Sequence, residues 1–159
     1  MKNPHSILAT LETRPQDVFE IWPPARSGGT WNDVLKAARE MGVKINTASK
    51  RPHPKKKRPE GRKGTAEAIV KEHPGTSLEA LFTHTADSGL WIALDTVQDP
   101  QNLGTIFRTS AFFGVKGIVL TRDRSAPLSN TAYDVASGGI EHVPFTLQTN
   151  LGRVLDIAK

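Results

Sequence analysis

Residues 95–108 read Asp-Thr-Val-Gln-Asp-Pro-Gln-Asn-Leu-Gly-Thr-Ile-Phe-Arg. Three of them could serve chemistry: Asn102 offers an amide, Gly104 a bare backbone and Arg108 a fixed cation. A guanidinium pKa exceeds about 12, so Arg108 is a poor base. It is well suited to hold a phosphate and to stabilise developing charge. Asn102 can position a loop or a substrate, or can simply cap the helix start. The apolar run at residues 90–94 reads as a strand leading into this segment. Asp99 suits an N-cap, and Pro100 suits the first helical position, where no N–H is required. These groups therefore fall where a strand hands over to a helix. Open α/β sheets bind ligands at that end, and helix N-termini attract anions.

Leu103, Phe107, Ser110 and Gly114 follow one helical stripe, with Ile106 and Phe113 beside it, and this side is expected to pack on a sheet. Gly104 and Arg108 are four apart and share another face. The missing side chain at Gly104 would let a ligand or a second subunit approach the backbone. Gly114 fits the C′ position. Around this helix the chain alternates strand 90–96, helix 100–113, strand 117–121, helix 129–136, strand 143–146 and helix 150–158. Such alternation implies right-handed βαβ crossovers and a parallel sheet.

The first part of the chain reads as a separate small α/β unit over residues 1–71. A short helix at 5–11 precedes an alternating strand at 17–22, which Pro23-Pro24 ends. A helix follows over 31–41, with Asn32 or Asp33 as its cap and Gly42 beyond its end. Residues 43–45 and 64–70 read as strands. Residues 72–89 form a linker with a short helix at 76–82, and 90–159 form the second domain.

Residues 50–63 break the pattern. They hold eight Lys/Arg, three Pro and one acid, which cannot bury a core. Lys55, Lys56, Lys57, Arg58, Arg62 and Lys63 are candidate contacts to nucleic-acid phosphates. A simply solvated loop is the alternative. The loop offers no aromatic residue for stacking on bases, so sequence-specific reading is not indicated.

The whole chain of 159 residues carries 21 Lys+Arg against 16 Asp+Glu, a net charge of +5, which favours an anionic partner. With no Cys, a disulfide framework and a Cys-ligated metal are excluded, and the five His have no metal-ligand spacing. No apolar stretch suffices to span a bilayer, and the N-terminus lacks a signal core. A cytoplasmic protein is expected.

Asp-x-Val-x-Asp-Pro-x-Asn-x-Gly-x-x-x-Arg at 95–108 resembles the first motif of the SpoU family, RNA 2′-O-ribose methyltransferases of the SPOUT superfamily. The resemblance runs on through residues 114–120, through Asp123-Arg124-Ser125-Ala126-Pro127-Leu128, and through Ser137-Gly138-Gly139-Ile140-Glu141-His142-Val143-Pro144. It implies methyl transfer from S-adenosylmethionine to a ribose 2′-hydroxyl, with ribosomal RNA as substrate. It places Arg108 at that hydroxyl, and Asn102 matches the motif's Asn, with a role in positioning the loop or the substrate. It also implies an N-terminal domain that resembles ribosomal proteins and binds RNA. Glu141-His142 falls in a structural stretch of the family, a turn entering a sheet. Ser125 has no neighbour to activate it as a nucleophile. Asp134 departs from the family, where a basic residue is common.

The family's second and third motifs, a Gly-Glu turn and a Ser-x-Asn element, are not in the sequence. The resemblance therefore implies the front part of the methyltransferase domain, without its knotted region. Cofactor-binding residues are expected beyond Lys159, and the chain alone is expected to be inactive. Family members pair largely through that later part, so dimerisation of this chain is not expected. A non-catalytic RNA-binding protein that keeps the front of the fold is the alternative. A different nucleotide-binding α/β enzyme fits less well, because no Gly-rich phosphate loop follows a strand.

Overall fold

The computed structural model describes residues 1–47, 66–83 and 89–158, which carry two three-stranded sheets in two units, Met1–Lys71 and Glu72–Lys159. In the first unit, α1 (Pro4–Thr13) starts at Asn3, whose side chain accepts a hydrogen bond from the His5 N–H. A short 3-10 turn leads into β1 (Val18–Trp22), followed by α2 (Thr30–Glu40), β2 (Lys44–Ile45) and β3 (Glu67–Val70). β1 lies central, parallel to β2 and antiparallel to β3. Ile7 and Leu11 of α1, Val34 and Ala38 of α2, and Ile21 and Ala68 of the sheet are buried. The N-terminal ammonium donates to the Ala68 carbonyl at 2.9 Å, which ties the chain start to β3. One expectation fails: neither Asn32 nor Asp33 caps α2. Gly29 occupies that position at φ +54, and Asp33 lies inside the first turn, where its charge still complements the helix dipole.

The basic residues Lys55, Lys56, Lys57, Arg58, Arg62 and Lys63 lie outside the described residues.

The second unit contains α3 (Leu78–Thr83), β4 (Trp91–Leu94), α4 (Pro100–Phe112), β5 (Gly117–Thr121), α5 (Asn130–Ala136), α6 (Gly139–His142), β6 (Phe145–Gln148) and α7 (Leu151–Ile157). The strands are parallel in the order β4-β5-β6. All five residues of the central β5 are buried, as its Gly-Ile-Val-Leu-Thr sequence suits a strand covered on both faces. This is the α/β architecture with a parallel sheet that the alternation implied.

Three details correct the sequence reading. Residues 72–89 are not merely a linker: Leu78 and Leu81 of α3 are buried with Val119 and Val154, and Phe82, Trp91 and Leu151 pack against them. The third strand starts at Phe145 rather than at 143, because the Val143 N–H closes the single turn of α6 onto the Gly139 carbonyl. Phe113 lies outside the buried stripe at 71% exposure, since α4 ends at Phe112. Gly114 does take φ +66, as a C′ glycine should.

Candidate active-site helix and its supports

α4 begins as its sequence requires. Asp99 accepts a hydrogen bond from the Gln101 N–H at 2.9 Å, and Pro100 opens the helix. Leu103, Phe107 and Ser110 are buried along one stripe, and the Phe107 ring meets the Phe145 ring of β6 edge-on at 5.5 Å. That contact seats the helix on the sheet.

Two glycines fix α4 against its neighbours. A Cβ on Gly104 would lie 2.5 Å from the Ala132 carbonyl oxygen and 2.8 Å from Val135 Cβ, so α5 occupies this face. The access for a ligand or a second subunit expected at Gly104 is therefore closed by the chain itself. A Cβ on Gly139 would lie 2.7 Å from the Phe107 carbonyl and 2.8 Å from the Arg108 nitrogen. The start of α6 thus presses directly on the backbone that carries Arg108. Ser137 at φ 49 and Gly138 at φ 97 make the left-handed turn that delivers Gly139 to this contact. Glu141 does not reach solvent from α6. Its side chain is buried, and an oxygen lies 4.0 Å from His73 Nε2. His73 in turn stacks near Phe145 and accepts the Gly75 N–H on Nδ1.

The loop before α4 is held by the loop after β5. Thr96, in a left-handed conformation at φ 53, donates its N–H to Thr121 Oγ1 at 3.0 Å. Thr121 Oγ1 also lies 2.7 Å from Ser125 Oγ, and the Ala126 N–H donates to the Val97 carbonyl at 2.7 Å. Ser125 therefore has a structural partner at the sheet end. Sequence reading had no role for Thr121; a hydroxyl as the last residue of an otherwise apolar strand was the available signal.

Arg108 and Asn102 are exposed, and neither side chain has a hydrogen-bond or ion-pair partner among the described residues. Capping of α4 belongs to Asp99, not to Asn102. Six helical positions separate Asn102 from Arg108, which places them about 120° apart around the helix and about 9 Å along it. α4 alone therefore does not bring the two together on one face. Tyr133 of α5 is buried with its hydroxyl accepting from the His73 N–H at 3.2 Å, so it is structural. Among the described residues no group of three or more acidic or His side chains could hold a metal, and no helix is long and apolar enough to cross a membrane.

The segment that builds this site, residues 89–159, matches the model of the SpoU rRNA methylase family. That stretch of the chain carries the SpoU methylase pattern. It is 35% identical over 154 residues to a 23S rRNA (guanosine-2′-O-)-methyltransferase of Acinetobacter baylyi, covering 95% of this chain and 62% of the relative. The corresponding Nitrosomonas europaea protein is 31% identical over 152 residues, covering 95% of this chain and 58% of that one. The SpoU methyltransferase AviRb from Streptomyces viridochromogenes superposes with a TM-score of 0.71 at 17% identity, over 99% of this chain and 56% of its own. An AdoMet-bound rRNA methyltransferase from Sinorhizobium meliloti gives 0.61 at 18% identity, over 97% of this chain and 65% of its own. At those identities the structures establish the fold of this chain and nothing more. It spans about three fifths of the length of the curated relatives it matches.

Proposed function

We propose that this chain supplies the ribose- and phosphate-facing side of an RNA 2′-O-methylation site, acting on ribosomal RNA in the cytoplasm. One observation carries the reading. Arg108 stands unpartnered in solvent on a helix whose backbone is clamped at that residue by Gly139. A fixed helix with a free guanidinium is preorganised to receive a phosphate. A ribose hydroxyl hardly ionises at neutral pH, so a site must orient it and hold the neighbouring charge. Arg108 does the holding and orienting. Asn102, a third of a turn round the helix, contacts the flanking RNA. The basic residues Lys55, Lys56, Lys57, Arg58, Arg62 and Lys63 add phosphate affinity without base selectivity. The names of the relatives point to 23S RNA as the substrate.

In this reaction S-adenosylmethionine supplies the methyl group when bound. Its sulfonium is cationic, and three hollows among the described residues do not suit it. The polar cleft at the end of β5 and β6 presents Arg122 and Arg153 against the single carboxylate of Glu79. The hollow of about 330 Å³ beside Trp91 is walled by apolar side chains, the one of about 380 Å³ beside Ile92 and Phe113 adds only the hydroxyl residues Thr105, Thr109 and Ser110, and neither carries a carboxylate. The role derived for this chain is therefore confined to the RNA.

Two titrations test the reading. Fluorescence anisotropy should show binding of a 23S RNA transcript that weakens about tenfold in Arg108→Ala, as expected for one charge-assisted contact. Calorimetry should show no micromolar binding of S-adenosylmethionine. RNA binding indifferent to Arg108 would remove it from the site, and tight donor binding would refute the half-site.

A further inference from the structure

The C-terminal edge of the sheet carries a second concentration of cations, away from α4. Arg122 directly follows β5, and its N–H donates to the Gln148 carbonyl at the end of β6. Arg153 stands on α7, which follows β6. Both guanidinium-bearing residues are exposed and line one cleft of about 500 Å³. Its other polar walls include Ser77 and Glu79 of the α3 region and Gln148 and Asn150 of the β6–α7 turn. No hydrogen bond or ion pair within the described residues engages the Arg122 side chain.

Glu79 is the one carboxylate in the cleft. Its own backbone N–H, then the Ser77 hydroxyl and finally the Arg153 charge hold its carboxyl below the ordinary range. It stays ionised at neutral pH, and Arg153 lies near enough to be felt. Glu79 therefore offsets one cation and leaves Arg122 as the uncompensated charge.

We infer that this cleft is a second phosphate-binding subsite for the RNA, with Arg122 and Arg153 as its anchoring cations. The inference rests on the RNA reading above and extends it to a place that reading does not use. Two guanidinium side chains from different segments line one cleft together with amide and hydroxyl groups, a donor set that suits a phosphodiester. The cleft opens at the same sheet end as the start of α4, because the strands are parallel. An RNA strand lying across that end can meet both sites. The subsite contributes affinity and register rather than base selectivity.

The test is a salt series of anisotropy titrations on the full chain with the labelled 23S transcript. The double variant Arg122→Ala/Arg153→Ala is compared with Lys116→Ala, an exposed cation at the opposite edge of the sheet. The double variant should bind at least about tenfold more weakly at low salt and lose about 0.7–0.9 per phosphate contact from the slope of log K against log salt. Lys116→Ala should change affinity less than about twofold. Glu79→Gln should tighten binding by removing the opposing charge. Parent binding with a double variant that behaves like Lys116→Ala would overturn the subsite and leave the Arg108 reading intact. Failure of the parent chain to bind RNA would overturn both. Inorganic phosphate provides the remaining arm. A thermal stabilisation by phosphate that the double variant loses, with RNA affinity unchanged, would assign the cleft to a free anion instead and overturn the RNA subsite.

Discussion

One side of α4 puts Leu103, Phe107 and Ser110 into the interior and lays Gly104 under α5. The rest of its circumference turns Asn102, Arg108 and Phe112 to solvent in different directions, with Phe112 at 85% exposure. Thirteen residues thus carry two kinds of sequence constraint. On the buried side the constraint is shape, and a single added or removed carbon is felt. On the exposed side it is chemistry, and shape hardly matters. If this division is right, substitutions on the two sides should separate cleanly: stability lost on the first, RNA binding lost on the second.

The hardest blow to the buried side is Phe107→Ala. It removes a fully buried ring and its edge-on contact with Phe145. A cost of about 3–5 kcal/mol is expected, read from urea unfolding of the chain. A cost under about 1 kcal/mol would show that α4 is not seated by this ring. Gly104→Ala comes next. Its methyl must displace the Ala132 carbonyl, a backbone atom at 2.5 Å, so the two helices have to move apart. Overpacking of this kind costs about 1–3 kcal/mol, and the same unfolding experiment reads it. A neutral Gly104→Ala would reopen that face as a docking surface. Asp99→Ala removes only the cap on the Gln101 N–H and should cost about 1 kcal/mol, lowering the melting temperature by a few degrees.

The same division decides how much the sequence could tell. Phe107, Leu103 and the Asp99-Pro100 start were readable because helical period and capping chemistry act locally. The parallel sheet was readable because three strand-helix alternations leave few other arrangements. The role of Gly104 was misread, since a missing side chain signals close approach without saying what approaches. The answer lay 28 positions away, in Ala132. Gly139 was visible only as part of a resemblance, and its contact with the Arg108 backbone is likewise long-range. α6 was missed because one turn has no period to detect. The Thr96–Thr121–Ser125 linkage joins two loops that are adjacent only once β4 and β5 pair. The roles of the exposed cations depend on which of them share a cleft, and neither spacing nor composition placed Arg122 beside Arg153.

The smallest expected change in stability is at Arg108, and it is the most informative. Arg108→Ala removes an exposed side chain with no partner among the described residues, so unfolding should shift by less than about 0.5 kcal/mol. RNA affinity should nevertheless fall about tenfold. Arg108→Lys refines the point, because it keeps the charge but loses the planar fork. If Lys restores only the salt-dependent part of binding, the fork matters and Arg108 orients the ribose through a paired contact. If Lys restores binding in full, the position supplies charge alone. A loss of stability in Arg108→Ala comparable to that of Gly104→Ala would dissolve the distinction between the two sides of α4, because the exposed residue would then be holding the helix rather than the RNA.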